Sequence, residues 1–97
     1  MQAEHIHCIG IGGIGVSALA RLYRNRGVRV SGSDIAQSEI TDALKKEGIQ
    51  IFIGKHKAAN VAGSITKIIH TAAARSDNPE LVAAKRRHIP TQSLHLS

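Results

Sequence analysis

Ile9-Gly10-Ile11-Gly12-Gly13-Ile14-Gly15 is the stretch that decides how this chain folds. The run His5-Ile6-His7-Cys8-Ile9 leads into it as a strand, and Ile14 to Arg26 leaves it as a helix. Gly10, Gly12 and Gly15 keep the G-x-G-x-x-G spacing of a phosphate-binding turn, with Gly13 as an extra glycine. In that motif the first glycine permits the tight turn, the second clears a Cβ from the path of a diphosphate, and the third lets the helix press on the strand. The free amides at the helix start, with the positive end of its dipole, make an anion site. Residues 10 to 15, Ile11 and Ile14 included, are therefore candidate ligand contacts.

Outward from the turn, Ile14, Ala18 and Leu22, with Leu19 and Tyr23, fall on one helical face, and Gly27 supplies a left-handed stop. Val28 to Gly32 reads as a second strand, with Ser33 and Asp34 just past its end. Ser38 caps a second helix whose Ile40, Ala43 and Leu44 face inward and which Gly48 ends. Ile49 to Ile53 is a third strand stopped by Gly54; residues 55–63 form a loop with one helical turn; Lys67 to Thr71 is a fourth strand. Asn78-Pro79-Glu80 opens a third helix with a cap, a first-position proline and an acid, and that helix runs to Arg87. Ile89-Pro90-Thr91 closes the chain as a short fifth strand, and no turn signal follows it, which predicts that the chain continues as part of something longer. Strands alternating with helices at these spacings join in parallel through right-handed crossovers. The expected fold is α/β: a Rossmann-like three-layer domain with a five-stranded parallel sheet, order 3-2-1-4-5, and a ligand crevice where strands 1 and 4 diverge.

Composition narrows the class. Ninety-seven residues make one small domain, and with a single Tyr and a single Phe its core must be aliphatic. Cys8 has no partner for a disulfide, no apolar run approaches the roughly 20 residues of a membrane span, and no signal-peptide core is present. A soluble, cytoplasmic chain without membrane insertion is expected. The net charge of +6 is spread over Arg21, Arg24 and Arg26, Lys45 and Lys46, and Lys85, Arg86 and Arg87, each group at the end of a predicted helix. There the cations complement the dipole, and with too few aromatics to stack bases no nucleic-acid partner is expected. Six histidines come without an H-E-x-x-H motif or a Cys/His cluster, so no metal site is predicted.

Beyond the turn, three places at the C-terminal ends of strands are candidates. Asp34 lies 19 residues after Gly15, where an acid bonds the ribose of NAD or simply caps the loop before helix 2. Its position after Gly32-Ser33, rather than at the strand end, counts against NAD. His56 follows Gly54 and either lines the crevice or is an exposed loop histidine. Thr71-Ala72-Ala73 either admits a ligand with its small side chains or merely fills a turn. No nucleophile–base pair, no paired carboxylates and no G-x-x-x-x-G-K-[ST] loop occur, so no residue is expected to be catalytic.

Together the pieces resemble a known family. His7 to Ser17 is similar to the opening of the Mur ligases, and Val30-Ser31-Gly32-Ser33-Asp34, Ile51-Phe52-Ile53-Gly54 and Ser76-Asp77-Asn78-Pro79-Glu80-Leu81-Val82 agree in order and spacing. The closest likeness is to the member that adds L-alanine. The resemblance implies an enzyme that joins L-alanine to the lactyl carboxylate of UDP-N-acetylmuramate through an acyl phosphate, using ATP and Mg²⁺. It implies that residues 1–97 are the N-terminal UDP-sugar-binding domain, with the central ATP-binding domain and the C-terminal amino-acid domain outside this chain. It also implies that this domain binds no cofactor itself. The Gly12-to-Gly15 loop would hold the diphosphate, Ser33, Asp34 and the Gly54-to-His56 loop would lie near the uridine, and Thr71 to Ala73 near the sugar. Two departures stand out: Lys55 separates Gly54 from His56, which the family has in direct sequence, and Ala72-Ala73-Ala74-Arg75 matches loosely. A relative that recycles murein tripeptide onto the same UDP-sugar shares the fold and has a less similar opening motif. A nicotinamide-dinucleotide domain, in a dehydrogenase or a sensing module, is the alternative class.

Overall fold

Five parallel strands form one sheet in the order β3-β2-β1-β4-β5 in the computed structural model, which describes residues 3–94. Along the chain these are β1 (His5–Ile9), α1 (Ile14–Asn25), β2 (Arg29–Asp34), α2 (Glu39–Lys46), β3 (Gln50–Ile53), a 3-10 turn (Ala58–Asn60), β4 (Lys67–Thr71), α3 (Pro79–Arg86) and β5 (Thr91–Leu94). The order is the expected one and puts the sheet's topological switch between β1 and β4. Register aligns His7 with Ser31 on one side and with Ile68 on the other. The core is aliphatic and lies on both faces. Ile6, Cys8, Ile11, Val16, Ala20 and Leu44 pack between the sheet and the first two helices. Ile9, Val61, Ile65, Ile68, Ala83 and Ala84 pack beneath α3 and the 3-10 turn. Each isoleucine so buried contributes on the order of 1.5–3 kcal/mol.

Helix ends follow local chemistry. Ser38 caps α2 in a reciprocal box with Thr41, its hydroxyl accepting from the Thr41 amide while the Thr41 hydroxyl accepts from the Ser38 amide. The Asn78 side chain accepts from the Glu80 amide, with Pro79 beside it, to open α3.

Three expectations are corrected. First, β2 does not stop at Gly32 but continues through Ser33 and Asp34, which pair with Phe52 and Ile53. Gly32 stays inside the strand because Ile11 seats over it: a Cβ there would lie 2.8 Å from the Ile11 Cβ. Second, the buried face of α1 is Val16, Ser17 and Ala20, flanked by Leu19 and Tyr23, whereas Ile14 is 78% and Leu22 44% exposed. The face set against the sheet is the one whose small side chains allow close approach, and the Ile14–Ala18–Leu22 stripe turns outward. Third, the last strand is Thr91–Leu94 rather than Ile89–Thr91, because Pro90 donates no hydrogen bond and serves only as an acceptor, from the Ile68 amide.

Candidate functional site

A cleft of about 680 Å³ opens at the C-terminal ends of the strands. Gly10, Gly13, Asp34, His56, Thr71 and Ala73 line it, all of them candidates from the sequence. Lys55, Arg75, Asp77 and Asn78 line it as well, although none of the four was a candidate contact in its own right. Lys55, the residue that parts Gly54 from His56, thus brings a cation to the wall, and Arg75 brings a second. Arg75 is bonded to Asp77 at 3.2 Å, an exposed pair of little energetic weight.

The glycine turn is built by backbone bonds. The Gly10 and Ile11 amides both donate to the Ser33 carbonyl, at 2.8 and 3.0 Å, and the Gly13 amide donates to the Gly10 carbonyl at 3.0 Å. Gly10 has φ +77°, and a Cβ on it would meet the Thr71 methyl at 2.6 Å. The Gly12 amide donates to Asp34 Oδ2 at 2.8 Å, and a Cβ on Gly12 would lie 2.8 Å from that same oxygen. A side chain on Gly12 would therefore press on the Asp34 carboxylate that the turn holds. Among the described residues the amides of Ile14, Gly15 and Val16 meet no protein acceptor, and α1 has neither a side-chain cap nor an acid in its first turn. Those three amides, at the positive end of a 12-residue helix, are open to an anion.

The remaining candidates lie around the cleft rather than in it. The Ile11 side chain is in the core over Gly32. Ile14 stands exposed at the helix start, Gly15 is half-buried in the first turn, and Ala72 is exposed outside the lining. Ser33 is buried beneath the cleft floor. Asp34 ends β2, contrary to the expectation of a loop position, so the sequence argument that counted against NAD lapses. Both of its carboxylate oxygens are engaged locally, Oδ2 by Gly12 and Oδ1 by the Ala36 amide at 3.3 Å.

Under the floor lies a polar network that the sequence reading did not find. The Glu80 side chain is 0% exposed. Its Oε1 accepts from His7 Nε2 at 2.6 Å and from the Ser33 hydroxyl at 2.8 Å. Its Oε2 accepts from His56 Nδ1 at 2.8 Å and from Asn60 Nδ2 at 3.2 Å. Burial pushes the Glu80 carboxyl up, but these four donors outweigh it and hold the group down at about 2. Behind His7 the bonds continue through the Ser31 hydroxyl to His5 and on to Ser64. Burial, Arg29 and His7 together hold His5 below the ordinary histidine value. His5 and His7 thus answer to hydrogen bonds inside the fold. Cys8 is buried and its thiol is pushed up to about 12, which leaves it inert. One signal in the sequence pointed to Glu80: alternating His5, His7 and Ser31, Ser33 put polar groups on the inner face of central strands, and such groups demand a buried partner.

Comparison with known proteins places this arrangement. The family model described as "Mur ligase family, catalytic domain" matches residues 5–96. A UDP-N-acetylmuramate–L-alanine ligase of Carboxydothermus hydrogenoformans is 48% identical over 85 residues, 88% of this chain and 18% of that protein. The crystal structure of the UDP-N-acetylmuramate–alanine ligase from Thermotoga maritima matches with a TM-score of 0.86 at 42% identity, over 92% of this chain and 20% of that one. A UDP-N-acetylmuramate:L-alanyl-γ-D-glutamyl-meso-diaminopimelate ligase from Neisseria meningitides matches at 0.83 with 26% identity, over 94% of this chain and 28% of that one. The chain spans under a fifth of the length of the curated relative, 18%, yet the family match runs through nearly all of its own residues. The glycine turn, the strand order and the match from β1 to beyond β5 agree, and the chain belongs to the Mur ligase family.

Proposed function

We propose that this chain is the UDP-N-acetylmuramate-binding N-terminal domain of an ATP-dependent ligase that adds L-alanine to that sugar nucleotide in peptidoglycan biosynthesis. The observation that carries the reading is the cleft itself: three unpaired first-turn amides of α1 beside an opening whose walls carry Lys55 and Arg75. Amides and cations of this kind bind a diphosphate without any group that reacts with it. Asp34 and His56 stand where the uridine end would lie, and the small Thr71-to-Ala73 turn leaves room for the sugar. The work of this domain is to bind and orient, so that the lactyl carboxylate is presented to residues outside the chain.

ATP and Mg²⁺ serve the full-length enzyme through those other segments. The described residues bring no three His, Cys, Asp or Glu side chains together as a metal site, and no step is assigned to metal here. Two observations support an alanine-adding rather than a tripeptide-recycling enzyme: 42% identity to the former's structure against 26% to the latter's. We infer a cytoplasmic location, in keeping with an unpaired buried Cys8 and with the lack, among the described residues, of a helix long and apolar enough to cross a membrane.

The test is a parallel NMR titration with UDP-N-acetylmuramate and with NAD, whose ribose an acid ending β2 is also placed to meet. The UDP-sugar is expected to shift the amide signals of Gly12, Gly13, Ser33 and His56, with a dissociation constant near 1 mM, about −4 kcal/mol. Clearly tighter binding of NAD would replace the ligase reading with the dinucleotide one.

A further inference from the structure

We propose that Glu80 is a positioning residue of the cleft: from beneath the floor it holds His56 in one ring orientation and one tautomer, leaving Nε2 to meet a hydrogen-bond donor, hydroxyl or imide N–H, of the bound nucleotide sugar. The inference rests on the ligand reading above for the identity of that donor, but not for the state of the ring.

The assignment follows from the chemistry of the partners. A carboxylate only accepts, so the His56 nitrogen 2.8 Å from Glu80 Oε2 must carry the proton. That nitrogen is Nδ1, which also lies 3.2 Å from the Ser33 hydroxyl. The neutral ring then has its lone pair on Nε2, on the opposite side of the imidazole. His56 lines the cleft with its side chain 20% exposed, and among the described residues Nε2 has no protein partner. The carboxylate itself cannot turn to release the ring. Each oxygen already holds two donors: His7 and Ser33 on Oε1, His56 and Asn60 on Oε2. His7 is fixed in turn by Ser31. This is the arrangement by which a carboxylate sets which histidine nitrogen faces a ligand. It also sets an uncharged acceptor beside the Lys55 cation on the cleft wall, so a hydroxyl or imide of the ligand and its phosphates meet different partners.

The experiment reads the ring nitrogens first and affinity second. Long-range proton–nitrogen correlation spectra of the ¹⁵N-labelled, ligand-free chain at mildly alkaline pH should show His56 as the Nδ1–H tautomer. In Glu80→Gln, which offers one acceptor oxygen in place of two, His56 should move toward the Nε2–H form. UDP-N-acetylmuramate affinity should fall about tenfold in His56→Ala, the size of one lost hydrogen bond, and by a similar factor in Glu80→Gln. The double variant should be no weaker than His56→Ala alone, because Glu80 acts through His56. A residue that merely supports the fold would not move the tautomer, and its effect would add to that of His56→Ala. An Nε2–H ring in the wild type, an unchanged tautomer in Glu80→Gln, or additive losses would each overturn the proposal. If the sugar nucleotide does not bind the wild type, the ligand reading falls and the ring measurement still decides the role of Glu80. If Glu80→Gln does not fold, the wild-type tautomer decides it.

Discussion

Acidification should strip a definable amount of stability from this fold through Glu80. The carboxyl sits at about 2 in the fold against an ordinary 4.5, since its four donors outweigh the opposing effect of burial. The unfolded chain therefore takes up the proton first. The contribution of Glu80 is complete above about pH 4.5 and is lost as pH falls from there toward 2. At ~1.4 kcal/mol per pH unit the gap is worth about 3 kcal/mol, of which about 2 is gone by pH 3. For a chain of 97 residues that is a large part of a total near 5–15 kcal/mol. His5 adds an earlier loss: its value is held below 6.5, so the unfolded chain also protonates first there, and stability declines as pH drops below about 6.5. Glu80→Gln separates the two groups. The amide leaves one oxygen for four donors, which costs about 3 kcal/mol at pH 7. Urea unfolding followed by far-UV circular dichroism at pH 7, 5, 4 and 3 should show the wild-type advantage shrinking below pH 4.5 toward zero, with equal urea slopes. A gap that stays constant from pH 7 to pH 3, or a variant as stable as the wild type at pH 7, would refute the reasoning.

Gly32→Ala should lower stability by about 1–3 kcal/mol, because its Cβ would press on Ile11 and lie 2.9 Å from the Cys8 carbonyl oxygen; thermal melts measure it. Gly12→Val displaces the Asp34 carboxylate from the glycine turn, and titration should find UDP-N-acetylmuramate binding lost while the circular dichroism spectrum stays native. Lys55→Glu should weaken the same ligand by about tenfold and flatten the salt dependence of binding, read by titration at two ionic strengths; unchanged affinity would remove Lys55 from the site. The chain alone should neither hydrolyse ATP nor form the alanyl product, and phosphate release or product seen by chromatography would contradict a purely binding role.

The strand order was legible because a glycine turn between a strand and a helix, followed by regular alternation, leaves few topologies open. The crevice came with it, and so did Gly10, Gly13, Asp34, His56, Thr71 and Ala73 as residues at strand ends. What local pattern could not show was anything decided by a distant neighbour. Gly32-Ser33 looks like a strand breaker until Ile11 is known to fill the space above Gly32 and Glu80 to satisfy Ser33. The isoleucine and leucine stripe of α1 outweighs Ser17 and Ala20 on hydrophobicity, yet close approach to the sheet selects the small pair. Glu80 is separated from His7 by 73 positions, so the polar strand face called for a buried partner without showing which acid it is. The bond from the Gly12 amide to Asp34 joins positions 22 apart, and no local pattern announces it.

The turn after β1 and the end of β4 meet at Gly10 and Thr71, and two separate demands are superimposed there. One is spatial: the Thr71 methyl occupies the volume a side chain on Gly10 would need. Trimming Thr71 to serine would relieve it only in part, because the Thr71 Cβ would still lie 3.1 Å away. The other is conformational: at φ +77° an ordinary L residue is strained by about 1–2 kcal/mol whatever the surrounding space. The first demand is shared by the pair, whereas the second belongs to Gly10 alone. The width of this floor is therefore set more easily at position 71 than at position 10, where the backbone itself favours glycine.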